Sequence, residues 1–210
     1  AFLSRAGYNS EPTVGKILKH RLNTIYEFVR KGNYDIYVPG KFIRKHALIR
    51  PEVAPDGMVK LPLIFDIIGW ATYLSESGTK QDWAKADVII NYIFNNKYQK
   101  FPYGYGLVEV GDKRDFGLGW SVHLPRFGLP DQRGVNQSVV QMVNLLMCFK
   151  SARQHRWFKE SIKHLEEYRT VKGTYLFPKK YLEERPEGYW VSGYHMGLGE
   201  IPRTRRVLEM

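Results

Sequence analysis

The feature that most limits how this 210-residue chain can fold is an internal repeat of about 70 residues. A motif that starts with lysine and ends with tyrosine stands at Lys31–Tyr34, Lys100–Tyr103 and Lys172–Tyr175, at separations of 69 and 72 residues. A second marker, a tryptophan near the start of a predicted helix, recurs at Trp83 and Trp157. Self-similarity at a fixed period means that each unit buries its apolar face against its neighbours, so the sequence predicts a helical-repeat protein.

The first repeat contains one amphipathic helix. Ser10 and Pro12 form a helix-start signal, and apolar side chains follow at helical spacing. The residues on this apolar face are Val14, Leu18, Leu22, Ile25 and Val29. A stripe of this kind packs onto a neighbouring helix and leaves the opposite face in solvent.

The two later repeats predict pairs of inner and outer helices. Residues 61–75 and 136–150 are almost wholly apolar, and a helix that is apolar on every side has to be enclosed by protein. Residues 82–96 and 154–169 carry charge on one side, which indicates outer helices. We therefore predict an all-α fold, an α/α toroid or partial toroid of repeated helix hairpins, with strands that are short or absent.

The predicted domain organisation is a single helical-repeat domain over residues 1–210, with units ending near residues 34, 103 and 175. The spacing calls for another inner helix after residue 201. We therefore expect the rest of a longer chain, or a second copy, to close the ring.

Composition limits the partners and the compartment. The net charge is +11, and no run of five like charges marks a nucleic-acid tail, so an anionic partner is expected and nucleic acid is disfavoured. No apolar run approaches the roughly 20 residues that a membrane span needs. The single cysteine, Cys148, lies in an apolar stretch and cannot form an internal disulfide, which favours a reducing, cytoplasmic compartment and leaves export open.

The start of the chain carries a family resemblance. Phe2–Ser4, Gly7–Tyr8 and Pro12 precede an amphipathic helix that ends at Lys31–Tyr34. This order resembles the prenyltransferase and squalene-cyclase repeat, in which a helix ends in a Gly-x-aromatic turn, and the likeness runs through most of the chain. The resemblance implies an α/α toroid. It implies no reaction, because that superfamily includes terpene cyclases, zinc-dependent protein prenyltransferases and proteins of no known activity.

Two departures from that family narrow the chemistry. The acid-rich Asp-x-Asp-Asp motif of the cyclases is absent, which disfavours cyclisation by protonation. Protein prenyltransferases hold zinc with an Asp, a Cys and a His, but Cys148 has no Asp two residues before it. We therefore predict no metal site and no cofactor.

Two long loops rich in glycine and aromatic residues, 101–127 and 188–199, are the candidate site, since long loops in compact domains are commonly functional. Their imidazole, phenol and guanidinium groups suit proton transfer beside an anion, although aromatic loops also serve as packing. The predicted catalytic residues are His123, Tyr194 and His195, and the predicted substrate-binding residues are Tyr105, Trp120, Arg126 and Trp190. If the loops are equivalent, His123 and His195 lie at the same rim of the concave face.

Asp66 is the fourth catalytic candidate, because it is the only charge in an apolar helix. A buried carboxylate needs a partner, so Asp66 is either a tuned acid or base or a structural group that caps a loop or pairs with an arginine.

Three functions fit these observations. The first is a binding domain whose aromatic, basic cleft takes an isoprenoid-like or otherwise amphipathic small molecule with an anionic head. The second is a lyase-like enzyme that acts on acidic polysaccharide through Tyr, His and Arg. The third is a non-catalytic protein-interaction domain.

Overall fold

The computed structural model describes residues 2–34, 37–43, 46–49, 55, 59–100, 107–110, 114–117, 121–125, 135–174 and 176, and these are mostly helical, as predicted. The helices are α1 (Phe2–Arg5), α2 (Pro12–Val29), α3 (Ile64–Ser77), α4 (Lys80–Phe94), α5 (Asn96–Gln99), α6 (Val135–Leu146), α7 (Lys150–Gln154) and α8 (Arg156–Glu166). A turn of 3-10 helix at Tyr8–Ser10 precedes α2. None of the helices in the described residues is long and apolar enough to cross a membrane.

The chain divides into two compact units. The first unit comprises residues 1–123 and 148–153, and the second comprises residues 124–147 and 154–210. The prediction of a single domain stays a prediction, and each unit is described below by itself.

Helix α2 of the first unit buries the face that the apolar spacing predicted. Leu22 and Ile25 are fully buried, Leu18 and Val29 are nearly so, and Val14 at the start of the helix is half-buried. Pro12 stands at the first helical position, where its missing N–H costs no hydrogen bond.

Helices α2 and α3 run antiparallel. The indole Nε1 of Trp70 donates to the carbonyl oxygen of Leu18 at 3.1 Å, and Arg21 Nε donates to Asp66 Oδ1 at 2.7 Å. Residue numbers therefore rise along α2 as they fall along α3. Trp70 is fully buried, which fits the prediction of an inner helix in this segment.

Helices α2 and α4 run parallel. Lys19 Nζ, near the middle of α2, lies 3.7 Å from Asp82 Oδ2 in the first turn of α4. Near the C-terminal ends of both helices, the rings of Phe28 and Tyr92 meet edge to face at 6.1 Å between centroids. The start of α4 is closed by a capping box in which Thr79 and Asp82 exchange hydrogen bonds. Within the first unit, the amphipathic helices α2 and α4 thus point the same way, and α3 between them in sequence runs antiparallel to α2.

The long connections contain short strands. They are β1 (Tyr37–Ile43), β2 (His46–Ile49), β3 (Leu107–Val110) and β4 (Arg114–Gly117), in the order β1-β2-β3-β4. The β1/β2 and β3/β4 pairs are antiparallel hairpins, and β2 pairs with β3 in parallel at Leu48 and Leu107. Strands of four to seven residues match the expectation of short strands. The β3/β4 hairpin lies within the predicted loop 101–127, and the β1/β2 hairpin lies in the connection between α2 and α3. The β-branched and aromatic residues of these segments favour strands.

The second apolar helix ends earlier than predicted. Helix α6 stops at Leu146 rather than near Lys150, and α7 begins after a turn. In a continuous helix the N–H of Ser151 would bond to a carbonyl four residues back. Instead it donates to Asp87 Oδ1 of α4 at 3.0 Å, and the Ser151 hydroxyl donates to the same oxygen at 2.7 Å. A carboxylate at the N-terminus of α7 compensates for the interruption.

The second unit packs α6 against α8. Apolar residues of α6 are buried at positions 139, 142, 143 and 146, and α8 buries Phe158 and Leu165. His155 caps α8, since its Nδ1 accepts from the backbone N–H of Trp157 at 3.1 Å, and burial lowers the pKa of this imidazole. Trp83 and Trp157 are both half-buried. They differ by two places within their helices, as the fourth residue of α4 and the second of α8.

The repeat motif has the same backbone at its first and third copies. Gly32 N–H donates to Val29 O at 3.0 Å with φ 66°, and Gly173 N–H donates to Thr170 O at 2.9 Å with φ 77°. Each glycine closes a four-residue turn in the left-handed region. The middle copy continues into residues 101–103, which lie outside the described residues.

Replacing either turn glycine by alanine should therefore destabilise the protein by about 1–2 kcal/mol through the backbone alone. A Cβ at Gly32 or Gly173 would meet no atom within 4 Å, so steric clash contributes nothing. Thermal denaturation of Gly32→Ala and Gly32→Asn measures the effect, and asparagine should cost less because it tolerates a positive φ. Equal losses for Ala and Asn would contradict this explanation.

Candidate functional site

The described residues include two of the eight predicted site residues, Asp66 and His123. The other predicted site residues lie outside the described part of the chain: Tyr105, Trp120, Arg126, Trp190, Tyr194 and His195. Their roles, and the shared rim of His123 and His195, stay predictions.

Asp66 has the arginine partner that its apolar helix demands. Its two carboxylate oxygens accept from Arg21 Nε at 2.7 Å and from Arg21 Nη2 at 3.1 Å. Oδ2 also accepts from the backbone N–H of Leu63 at 2.8 Å, which caps the start of α3. The two side chains are only 11% and 10% exposed. Asp66 therefore has the structural role of pairing with an arginine and capping a helix, rather than that of a catalytic acid or base.

Arg21 was not singled out by its sequence position, yet it joins three segments. Beyond Asp66, its guanidinium donates to the carbonyl oxygens of Val59 and Leu61. The Arg21 guanidinium therefore fixes α2 against α3 and against residues 59–61, which lead into α3. No sequence pattern marks Arg21, because its partners are 38 to 45 residues away.

His123 lies at the end of the α4–α5 segment. Tyr98 of α5 binds the residue next to His123, because its hydroxyl accepts from the N–H of Val122 at 3.0 Å. The same hydroxyl donates to Pro62 O at 2.7 Å. The amide of Gln99 donates to Val122 O at 3.1 Å. Val122 is fully buried, whereas the imidazole next to it is half-exposed. The predicted histidine is thus held near the C-terminal ends of α4 and α5, with part of its side chain in solvent.

The C-terminal ends of the parallel helices α2 and α4 lie together, held by two tyrosines. The rings of Tyr34 and Tyr92 stack with centroids 4.3 Å apart and planes 7° apart. The Tyr92 hydroxyl donates to the carbonyl oxygen of Asn33 at 2.7 Å. Burial raises the pKa of Tyr34, which stays a neutral phenol. The stacked tyrosines therefore connect the turn after α2 to α4.

Basic side chains surround this aromatic pair. Lys97 Nζ lies 5.8 Å from the centroid of the Tyr34 ring, within the range of a cation–π contact. We call the exposed residues Arg30, Lys31, Lys97 and Lys100 the basic end. Glu27 of α2 pairs with Arg30 at 2.6 Å. The charge there is positive, and the half-exposed His123 lies at the neighbouring end of α5.

In the sequence, Lys31 and Lys100 stand out as the first residues of the repeated motif, whereas nothing marks Lys97. Lysine near a helix C-terminus also interacts favourably with the helix dipole, so position alone does not distinguish a stabilising charge from a binding one.

Cys148 has no catalytic character. It is half-buried, and desolvation raises the pKa of its thiol to about 11, so the reactive thiolate is scarce at neutral pH. Within the described ranges, no group of three or more His, Cys, Asp or Glu side chains is placed to hold a metal ion.

Fold and site together define a mostly helical protein whose first unit carries basic residues beside a pair of stacked tyrosines. Comparison with known proteins adds no family to this description, because no family model, curated protein or solved structure matches the chain.

Proposed function

We propose that this protein is a helical-repeat binding domain, built as an α/α toroid or partial toroid, that takes an anionic ligand at the basic end. One observation carries the proposal: Lys97 of α5 lies 5.8 Å from the Tyr34 ring of the stacked tyrosine pair, and the exposed residues Arg30, Lys31 and Lys100 stand at the C-terminal ends of α2 and α5. Exposed cations held close together attract anions, and the attraction weakens as salt rises.

Binding is favoured over turnover because Asp66, one of the two described candidates, serves the fold. Both carboxylate oxygens of Asp66 already accept hydrogen bonds, from the Arg21 guanidinium and from the backbone N–H of Leu63 at the start of α3. Proton transfer by His123 would need Tyr194, His195 or Arg126 within reach, as in the lyase-like alternative. The ligand of the binding function has an apolar or sugar-ring body and an anionic group, as an isoprenoid-like molecule with an anionic head does.

The test is calorimetric titration at low ionic strength with an isoprenoid diphosphate, an oligouronate and a neutral oligosaccharide of equal length. We expect at least one anionic probe to bind, to bind more weakly as salt is added, and to lose affinity in the double variant Lys31→Gln/Lys100→Gln. The matched control is Lys16→Gln/Lys80→Gln, which removes two exposed lysines from the N-terminal ends of α2 and α4.

The control variant Lys16→Gln/Lys80→Gln should bind the anionic probe with the same affinity as the parent protein. Equal affinity for neutral and anionic probes would overturn the proposal. So would equal losses in the two double variants, since a general charge effect does not depend on which helix ends carry the lysines. Binding only to another protein would favour the interaction-domain alternative instead.

A further inference from the structure

The first turn of α8 is held by a histidine rather than by the serine, threonine, aspartate or asparagine that commonly caps a helix. Nδ1 of His155 accepts from the backbone N–H of Trp157 at 3.1 Å. This hydrogen bond needs the lone pair of Nδ1, so the imidazole that makes it is neutral. Protonation of Nδ1 removes the acceptor. It also places a positive charge at the N-terminus of α8, where the helix dipole disfavours cations.

Trp157 links this first turn to a distant part of the second unit. Its indole Nε1 donates to the carbonyl oxygen of Pro125 at 2.9 Å, 32 residues earlier in the chain. The backbone N–H that His155 holds and the indole that holds Pro125 thus belong to the same residue. All three residues lie in the second unit. Because fraying of the first turn moves the backbone from which the indole extends, the bond to Pro125 depends on the histidine cap.

The charges around His155 are few among the residues that the structure describes. Burial disfavours a charge on its imidazole and lowers the pKa, whereas Glu160 acts in the opposite direction. Glu160 is itself bonded to Arg156 at 2.6 Å. Helix α6, which packs against α8, has no ionisable side chain. The next charged residues along the chain, Arg153 and Lys159, are exposed. Burial therefore outweighs the nearby carboxylate, and His155 is neutral at neutral pH.

The lowered pKa fixes the direction in which pH acts on this turn. In an unfolded chain a histidine titrates near pH 6.5. Since folded His155 binds its proton less tightly than this, the frayed and unfolded chains gain population as protons become available. The stability that the cap contributes is therefore complete above about pH 6.5, and it is lost as the pH falls toward the lowered pKa of the folded protein.

We propose that His155 is a pH-sensitive switch in the second unit: the neutral imidazole closes the first turn of α8 and keeps the Trp157 indole on Pro125, and protonation opens both. The switch is independent of the proposed function, since none of its residues belongs to the basic end. Two other histidines are close in sequence to its parts. His123 lies two residues before Pro125, and His164 lies in the last turn of α8. Variants at these two positions therefore serve as controls.

Hydrogen exchange followed by NMR tests the switch on the intact chain, from about pH 8 to about pH 5, the interval in which histidines titrate. The backbone and indole N–H groups of Trp157 are measured in the parent protein, in His155→Ser and in His155→Ala. Serine supplies a cap that does not titrate, and alanine supplies none. Relative to His155→Ser at the same pH, the parent should lose about two- to thirtyfold of its protection at both groups as the pH falls, the range of a lost N-cap. His155→Ala should lack this protection at every pH.

Two controls separate the switch from other effects of acid. His123→Gln and His164→Gln should keep the pH dependence of the parent protein. The backbone N–H of Asp82, which the Thr79 hydroxyl accepts at the start of α4, provides an internal reference for a cap that does not titrate. Its protection should be the same in the parent and in His155→Ser at each pH.

A ratio of parent to His155→Ser protection that stays constant over this interval overturns the proposal. So does a pH dependence that disappears in His123→Gln or His164→Gln, because another imidazole would then be responsible. Protection of the Trp157 indole that persists after the backbone protection is lost also overturns it, since the bond to Pro125 would not depend on the cap.

Discussion

Replacing Arg21 by leucine should lower the free energy of unfolding by about 3–5 kcal/mol. The substitution leaves the Asp66 carboxylate without its countercharge and strands the carbonyl oxygens of Val59 and Leu61. A charge that is nearly buried cannot recover this loss from water. Urea denaturation followed by circular dichroism measures the change, with the m-value checked for two-state behaviour.

The matched control is Arg30→Leu, which breaks an ion pair of similar geometry in solvent. Arg30 and Glu27 are 58% and 56% exposed, so this pair should contribute less than about 1 kcal/mol. The double variant Arg21→Leu/Asp66→Leu should regain much of the stability that Arg21→Leu loses, because it removes the unpaired charge. An Arg21→Leu protein as stable as Arg30→Leu would refute the structural role assigned to the Asp66 pair.

Replacing Trp70 by alanine should cost about 3–5 kcal/mol. The indole is fully buried between α3 and α2, and its N–H donates to the carbonyl oxygen of Leu18. Removing it opens a cavity and also leaves that carbonyl without its side-chain donor. Trp70→Phe keeps most of the apolar volume and should cost less than the alanine change, because it chiefly loses the hydrogen bond.

The comparison for Trp70 is Phe65→Ala on the same helix. Phe65 is 46% exposed, so its truncation should have a much smaller effect than that of Trp70. If the alanine changes at 65 and 70 cost the same, α3 does not present Trp70 to the core. The assignment of α3 as an inner helix against α2 would then be wrong.

These stability experiments also separate fold from function. Arg21 and Trp70 fix α2 against α3, whereas the motif lysines project from exposed turns. Changes at Lys31 and Lys100 should therefore alter binding without altering unfolding. A binding defect in Arg21→Leu would carry little information unless its fold were first shown to be intact.

The sequence by itself determined the local elements, because their causes are local. Apolar spacing located α2 and its buried face, and a proline-led apolar run located α3. The motif at Lys31–Tyr34 and Lys172–Tyr175 predicted a recurring turn, and its glycines do adopt the same left-handed backbone. Periodicity and turn chemistry act over a few residues, so one chain suffices to predict them.

Only the tertiary structure decided which distant groups meet. The N-terminus of α7 is capped by Asp87, which lies 64 residues before the serine that it binds. The role of Asp66 depends on Arg21, 45 residues earlier, and Lys97 reaches the Tyr34 ring only because α2 and α4 run parallel. Side-chain pairing across elements follows from helix direction and packing, which leave no periodic signal in the sequence, so these pairings could not be predicted from it.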